Sequence, residues 1–588
     1  MTTKNRKFIS NLILFGVILI LASFFRIINL DLIEFKSDEA ANLLISSRQL
    51  FDKPIPPGGT GSSVGVLNPP FFNYLLIPLT YITLDPKVIT FFIAFINVLA
   101  IAFFFMIVKK YYNLTTATIA SIFMSLSPWA ILFSRKIWMQ DLLIPFFVPL
   151  FLSLHKLIAE NRQAYWVPYV AASLFLIQLH QASIFFLAPL TLFLLIKKTK
   201  INLKYILTGV LIGIIPLLPY LLYELSNGCP DCSAILMSSS KLRTSPSFEI
   251  FQRPLQILGQ GNFDFILGQN GLISFSKDYK LAFELRKVLY IFYILIPLSI
   301  VIFAKIYRKF SFLIYSLIAV CFLYYFLKIE PQMHYFILFI PILSLSLGTF
   351  FDWIIKKGNT SLKALSVSTL LIIYSTLIVY NFSFFEFVKK NKGTPGDYGT
   401  SYIETKRNTD DRLKEYKERK DYEEIFLASH LPLRYMFGFM PLSKMVYPQR
   451  LHEEEIKSLE QRLENQETDP RINQKLIAYY TKNEPSIETV KLLRKKTESI
   501  REYKKVYDEV LSYYVSKNFL KYYRSERFDV EFFYPEHWKI QNSENAVILD
   551  EDNFSLALKR GTRGIEISCY KGNCNNNIDE LRNAVRLF

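Results

Sequence analysis

Eleven long apolar blocks constrain this chain more than any other feature of its sequence. Each block is about 17–25 residues long, the length that an α-helix needs to cross a bilayer. A chain of 588 residues that is 51% hydrophobic in such blocks is too apolar for a soluble protein. The sequence therefore predicts an α-helical polytopic membrane protein. The predicted spans lie near residues 8–28, 88–108, 114–133, 142–158, 165–180, 182–197, 205–223, 288–304, 310–327, 335–353 and 362–380.

Short basic groups between the blocks predict the orientation. The first block lacks a small-residue cleavage site and is followed by further spans, so it is interpreted as a span and not as a signal peptide. With the N-terminus in the cytoplasm, all six basic groups fall on the cytoplasmic side, as the positive-inside rule prefers. This also accounts for the net charge of +18 without a nucleic-acid partner. We expect an integral plasma-membrane protein of bacterial type, with its C-terminal region outside the cytoplasm.

One apolar segment, residues 68–84, does not fit this pattern of spans. It is short, and it contains prolines at positions 70 and 78, which disfavour one straight helix. Counting it as a span would place Lys109 and Lys110 outside. We therefore predict an outer juxtamembrane helix that lies on the membrane surface or dips into it.

The predicted orientation leaves three regions outside the membrane. They are a first outer loop at 29–87, a long outer loop at 224–287, and the chain after residue 380. Composition divides the chain into a transmembrane domain at 1–400 and a charged, helical extracytoplasmic region at 401–525. A small C-terminal domain at 526–588 has the alternating apolar pattern of strands, so the C-terminal region is predicted to be α+β.

The adjacent carboxylates Asp38 and Glu39 follow the first span. Charged side chains close to a membrane are costly and are often functional. A structural alternative is a helix N-terminus, where Ser37 or Asp38 caps the helix and Glu39 complements its dipole. The glycine-rich stretch at 58–65 is not a nucleotide loop, because no strand precedes it and no Gly-Lys-Ser/Thr closes it.

Several polar residues from other segments are predicted at the same outer level. Arg135 and Asp141 lie between the third and fourth spans. Because outward positive charge opposes the positive-inside rule, Arg135 is a candidate phosphate ligand, with lipid headgroup contact or a salt bridge to Asp141 as the alternatives. His180 and His334 belong to the same level, and either of them could instead be structural. The set at this level suggests a cavity that opens outward; it comprises Asp38, Glu39, Arg135, Asp141, His180, Gln332 and His334.

Four of the five cysteines form two close pairs on the predicted outer side. Cys229 and Cys232 lie in the long outer loop, and Cys569 and Cys574 lie in the C-terminal region. Two local disulfides in an oxidising compartment are the favoured interpretation. Free thiols remain an alternative for both pairs, and a redox or metal motif remains one for Cys229-Pro-Asp-Cys232.

The order of these motifs resembles one family of membrane enzymes. The matching features are Asp38-Glu39, the glycine-rich stretch, Asn68-Pro-Pro with aromatic residues, Ser134-Arg135 with Asp141, and His334-Tyr335 followed by a proline; Gly396-Asp-Tyr-Gly399 is a further match. This pattern is similar to the GT-C integral-membrane glycosyltransferases, nearest to bacterial relatives of the protein O-mannosyltransferases and aminoarabinose transferases. The resemblance covers about residues 1–400.

The resemblance implies a GT-C fold and sugar transfer from a polyprenyl-phosphate donor to a hydroxyl of a protein, glycan or lipid, with inversion, at the outer face. Asp38 would be the general base, and Glu39 would orient the acceptor or tune Asp38. No cofactor is firmly implied, although a divalent metal shared by Asp38 and Asp141 is an open alternative. Membrane lipids are further expected partners. Donor-phosphate or substrate contacts are implied for Asn68, Arg135, Asp141, His180, Gln332, His334 and Tyr335.

Two other classes of function remain open at this stage. One is a secondary transporter, against which the chain shows no obvious inverted repeat and few charges at the centres of its spans. The other is a membrane-anchored binding or sensor protein that acts through its C-terminal region.

Overall fold

The chain is described here from a computed structural model. It forms two compact units, Met1–Met445 and Val446–Phe588. The structure describes residues 3–51, 55–62, 66–197, 199–232, 246–259, 261, 263–416, 456–463, 470–482, 489, 492–493, 495–497, 500, 503–516, 520–525, 530–535, 539–542, 547–551, 554–561 and 564–572.

The first unit is built from α-helices. The helices before the long outer loop are α1 (Thr3–Ile27), α2 (Ser37–Ser46), α3 (Phe71–Ile82), α4 (Pro86–Tyr111), α5 (Leu114–Leu126), α6 (Pro128–Leu132), α7 (Leu143–Ala159), α8 (Trp166–Leu179), α9 (Ser183–Ile196), α10 (Leu203–Ile214) and α11 (Leu218–Ser226). Those that follow are α12 (Glu249–Gln256), α13 (Phe263–Leu267), α14 (Gln269–Asp278), α15 (Lys280–Leu285), α16 (Phe292–Ile306), α17 (Phe312–Phe326), α18 (Phe339–Lys357), α19 (Thr360–Asn391) and α20 (Tyr402–Tyr416).

A helix or a pair of consecutive helices lies at each of the eleven predicted spans. Among the described residues, seven helical segments are long and apolar enough to cross a membrane. They confirm a polytopic α-helical membrane protein, while the number of eleven spans stays a prediction. The seven segments are Pro86–Tyr111, Met139–Ala159, Leu203–Ser226, Lys280–Ile306, Arg308–Phe326, Phe339–Lys357 and Thr360–Asn391.

Prolines interrupt two of the predicted spans. The block predicted at 114–133 is divided at Ser127, whose side chain caps the short helix α6 just before Pro128. The block predicted at 205–223 contains a single 3₁₀ turn at Ile215–Leu217. Proline removes a backbone donor and clashes with the preceding turn, which explains both interruptions.

The core of the first unit lies where neighbouring helices approach closely. Helix α18 packs against α5, and Gly348 permits the contact, because a Cβ atom there would lie 2.6 Å from the carbonyl oxygen of Thr116. Small residues at such crossings allow the backbones of membrane helices to touch.

The short helices α2 and α3 pack on each other beside this bundle. Helix α3 has 12 residues, so it is about 18 Å long and too short to span a bilayer. Phe71, Phe72 and Leu76 are buried, whereas Tyr81 and Ile82 are exposed. This two-faced helix agrees with the short element predicted at 68–84.

The second unit contains helices and two antiparallel sheets. Helices α21 (Pro470–Lys482) and α22 (Tyr503–Ser516) pack together, with Leu476, Val506 and Val510 in their core. Strands β1 (Leu520–Ser525) and β2 (Val530–Pro535) form a two-stranded sheet. The other sheet has four strands in sequential order, β3 (Lys539–Asn542), β4 (Val547–Glu551), β5 (Phe554–Gly561) and β6 (Gly564–Gly572).

Candidate functional site

Helix α2 turns its first two acidic residues in opposite directions. The chain leaves α1, passes through a 3₁₀ turn at Leu30–Leu32, and re-enters a helix after Lys36. Glu39 turns back, and its Oε2 accepts a hydrogen bond from the backbone N–H of Lys36 at 2.8 Å. A Glu at this position commonly satisfies the N–H of the residue that precedes the helix. Glu39 is buried, whereas Asp38 is exposed and has no hydrogen bond or ion pair with another described residue.

A buried cluster of charges lies beneath the start of α2. Glu34, which is 2% exposed, forms ion pairs with the ammonium groups of Lys36, at 2.5 Å, and Lys136. Asp141, which is fully buried, accepts a hydrogen bond from the backbone N–H of Lys136 at 2.8 Å. Glu34 is thus a buried charge with two cationic partners, the kind of arrangement in which buried charges are tolerated.

The cluster changes the protonation of its members. Burial, and next the negative charge of Glu34, raise the pKa of Glu39 from 4.5 to about 7, although Lys136 opposes the shift. Burial alone would lower the pKa of Lys136, but Glu34 and Glu39 raise it above its ordinary value. Glu39 therefore titrates near neutral pH, whereas Lys136 remains a fixed cation.

Arg135 does not occupy the position expected of a phosphate ligand. Its Nη1 donates to the carbonyl oxygens of Phe25 and Ile28 at 2.6 and 2.8 Å, and its Nη2 donates to Asn29 at 2.8 Å. The buried guanidinium also lies 4.4 Å from the ring centre of Phe385. A cation at the C-terminus of a helix is a stabilising cap. This geometry favours a structural role for Arg135, because its Nη1 and Nη2 are directed at the end of α1, and the phosphate contact stays a prediction.

The two histidines come together through aromatic contacts. The rings of His180 and His334 lie 5.4 Å apart, and that of Tyr335 lies 5.3 Å from His180. Trp138 connects this group to the charge cluster, since its ring lies 5.1 Å from His334 and 5.5 Å from the ammonium of Lys136. The backbone carbonyl of Gln332 accepts from the N–H of Tyr335 at 3.1 Å. The structure thus brings the predicted residues His180, His334 and Tyr335 together, and Trp138 links them to Lys136.

Asn68 forms hydrogen bonds within the glycine-rich loop. Its Nδ2 donates to the carbonyl oxygen of Thr60 at 2.8 Å, and its own carbonyl accepts from the N–H of Gly59 at 2.7 Å. These bonds are local, so they support a loop-forming role for Asn68 and not the predicted contact with a substrate.

The segment after α19 completes the site. The hydroxyl of Tyr398 donates to the carbonyl oxygen of Leu32, and the ammonium of Lys36 contacts Asp397. Gly396 is required by a close approach, because a Cβ atom there would lie 2.2 Å from the backbone nitrogen of Gly268. Residues 393–399 therefore connect the first outer loop to the loop before α14.

Sequence reasoning missed Glu34 and Lys36, and with them the ion pair between Glu34 and Lys136. Glu34 and Lys36 alternate just before α2, and such spacing in an extended segment places both side chains on one face. That spacing was the available signal, but it does not reveal that the face is buried.

The sequence also raised two disulfides and, as an open alternative, a shared metal ion. A disulfide joins Cys229 and Cys232, and Cys321 is a buried free thiol. Cys569 lies in β6, and Cys574, with any bond between the two, lies outside the described residues. Within the described part of the chain, no group of three or more His, Cys, Asp or Glu residues is arranged to hold a metal ion.

The comparison with known families gives one partial match. Residues 68–223 match the sequence model of the family Dolichyl-phosphate-mannose-protein mannosyltransferase. The match confirms the predicted resemblance. The chain is an integral membrane protein that is similar over this segment to the protein mannosyltransferases. No curated protein sequence matches the chain significantly.

Solved structures show a distant likeness. ArnT from Cupriavidus metallidurans bound to undecaprenyl phosphate has a TM-score of 0.43 and 12% identity, with 70% of this chain and 80% of that chain covered. Its apo form has a TM-score of 0.44 and 12% identity, with 79% and 92% covered. The oligosaccharyltransferase AglB from Archaeoglobus fulgidus, in complex with an inhibitory peptide and a dolichol-phosphate, has a TM-score of 0.40 and 12% identity, with 71% and 59% covered.

Proposed function

We propose that the protein transfers a monosaccharide from a polyprenyl-phosphate donor to an acceptor hydroxyl at the extracytoplasmic face of the membrane. The observation that carries this proposal is the placement of Asp38. It is exposed at the start of α2, while Glu39, one residue later, is buried beside Glu34 and Lys136. The family match adds support, since the family is named for a dolichyl-phosphate-linked mannose donor and a protein acceptor.

Asp38 is the general base in this proposal. As the acceptor oxygen attacks the anomeric carbon of the donor, its proton passes to the carboxylate of Asp38. The bond between the anomeric carbon and the phosphate oxygen breaks, and the electron pair leaves with the polyprenyl phosphate. Attack opposite to the leaving group inverts the anomeric centre.

Glu39 and the charge cluster that contains Lys136 stabilise the turn that carries Asp38. Glu39 fixes the first turn of α2 through its bond to Lys36, and the buried cluster beneath the helix keeps that turn in place. This support holds the Asp38 carboxylate at the exposed start of α2, where an acceptor hydroxyl can reach it.

The test is sugar transfer by purified protein that is offered a panel of polyprenyl-phosphate sugars. We expect Asp38→Asn to lower the transfer rate at least about 100-fold, the typical contribution of a positioned general base, without changing thermal stability. Asp31→Asn is the matched control, because Asp31 lies in the same loop with a half-exposed side chain in an ion pair with Lys87. Full transfer by Asp38→Asn would refute the catalytic role of Asp38.

A further inference from the structure

The Cys229–Cys232 loop holds one buried carboxylate in a fixed direction. The chain turns sharply after α11, with Gly228 and Cys229 both at positive φ, and the N–H of Cys229 donates to the carbonyl oxygen of Glu224 at 2.7 Å. The disulfide closes this turn around Asp231, which is 3% exposed. The N–H of Asp231 donates to the side chain of Glu224 at 3.0 Å. Its carboxylate therefore has little freedom to reorient.

Asp231 reaches across to the glycine-rich loop. Its Oδ2 accepts a hydrogen bond from the backbone N–H of Leu67 at 3.0 Å and another from the hydroxyl of Tyr220 at 2.5 Å. Hydrogen bonds to an ionised carboxylate are roughly twice as strong as neutral ones. A single carboxylate thus ties the first outer loop to the end of α11.

From Leu67, contacts continue to the helix that carries Asp38, through close packing at Gly59 and then through hydrogen bonds. Gly59, which is bonded to Asn68, lies so close to Asn73 that a Cβ atom would be 2.7 Å from its Oδ1. The Nδ2 of Asn73 donates to the carbonyl oxygen of Asn42 and to the hydroxyl of Ser46, both at 3.1 Å and both on α2.

The same path ends beside the charge cluster. The Nδ2 of Asn42 donates to the carbonyl oxygen of Ile137 at 3.1 Å, and Ile137 follows Lys136 in the chain. Asn42 and Asn73 are both at least 99% buried. The Nδ2 donors of both asparagines are bonded, and buried donors bonded in this way favour one arrangement because breaking these bonds is costly.

We propose that Asp231, oriented by the Cys229–Cys232 disulfide, is a positioning residue that holds the glycine-rich loop against α2 and thereby sets the direction of Asp38. The effect on catalysis rests on the function proposed above, whereas the effect on the loop does not. Reduction of the disulfide by a dithiol delivers two electrons and two protons and yields two thiols, with the dithiol oxidised in turn. Cys232 is exposed and accessible to such a reagent. Reduction frees the turn and loosens the hold of Asp231 on Leu67.

Hydrogen exchange at the Leu67 amide, measured on the full chain in detergent micelles, tests the hold directly. Asp231→Ala should raise this exchange rate about tenfold or more, because the amide loses its acceptor. In the unsubstituted protein, dithiothreitol should raise the rate as well, and reoxidation should restore it. The double variant Cys229→Ser/Cys232→Ser should exchange fast with or without dithiothreitol. Unchanged exchange in Asp231→Ala would overturn the proposal whatever the transfer assay shows.

Transfer kinetics test the link to Asp38. We expect Asp231→Ala and dithiothreitol each to lower kcat about tenfold with little change in KM for the donor, as expected when an interaction made only in the transition state is weakened. The matched control is Cys569→Ser/Cys574→Ser, which should keep both full activity and the response to dithiothreitol. Fast loop exchange with unchanged kcat would refute the positioning role. An inactive unsubstituted protein would contradict the proposed function, and the exchange measurement would still decide whether Asp231 holds the loop.

Discussion

The buried carboxylate of Glu39 should make the stability of this protein depend on pH in a defined direction. Its pKa is about 7 in the folded protein, against 4.5 for an ordinary glutamate. Between these two values the folded state holds a proton that the unfolded state has released. The free energy of unfolding therefore falls as the pH rises through this range, because the folded state binds more protons. Glu39 is deprotonated in both states above pH 7, where the whole cost of burying its charge is present.

The magnitude follows from the difference between the two pKa values. Since each pKa unit corresponds to 1.36 kcal/mol, the Glu39 contribution amounts to about 3 kcal/mol between pH 4.5 and 7. Glu39→Gln removes this contribution and keeps an oxygen that can accept from the N–H of Lys36. Relative to the unsubstituted protein, the variant should gain about 3 kcal/mol of stability as the pH rises across this window.

The assay is reversible unfolding in mixed detergent micelles at several pH values, followed by the fluorescence of the buried tryptophans Trp129 and Trp166. The quantity of interest is the difference between variant and unsubstituted protein, because contributions of other titrating groups cancel in it. Asp31→Asn serves as the control and should show a difference that does not change with pH. If the Glu39→Gln difference is also constant between pH 4.5 and 8, the inference that Glu39 is buried beside a negative charge is refuted.

Two further substitutions test the other parts of the site. Lys136→Met should destabilise the protein by about 3–5 kcal/mol, because it leaves Glu34 without one partner of a buried ion pair; a change below about 1 kcal/mol in the same unfolding assay would contradict the pairing. Arg135→Lys should lower stability by about 1–3 kcal/mol, since an ammonium cannot reach all three carbonyl oxygens at the end of α1. A selective loss of donor affinity at unchanged stability in Arg135→Lys would instead restore the phosphate-binding interpretation.

The helical frame could be predicted from the sequence because it follows from local composition. The block predicted at 88–108 corresponds to α4, Pro86–Tyr111, and its ends are explained by the cap at Asp85 and the basic pair Lys109-Lys110. The last predicted span, 362–380, was too short, since α19 continues to Asn391. Its final turns carry polar residues on one face, and hydropathy alone ends a helix at such residues.

The candidate site could be predicted only in part, because its geometry depends on contacts between distant segments. The local pattern identified Asp38 and Glu39, and it gave their alternative role at the start of a helix. It could not show that one faces outward and the other faces Lys136. Sequence assigned a phosphate to Arg135 because the charge was otherwise unexplained, whereas the structure supplies the carbonyl oxygens of α1 as partners. Backbone acceptors carry no side-chain signature, so this kind of partner is invisible in a sequence.

The distribution of charge around α2 explains why one acidic residue there is suited to chemistry and its neighbours are not. Glu34 is held between two lysines, and Asp141 is fully buried with its Oδ2 bonded to the backbone N–H of Lys136. Displacing Glu34 would leave the buried charge of Lys136 without its ion-pair partner, which costs several kcal/mol. Asp38 bears no such cost, because its carboxylate is exposed and belongs to no buried ion pair. The buried residues thus fix the position of the helix, and the exposed one is the residue that we propose to react.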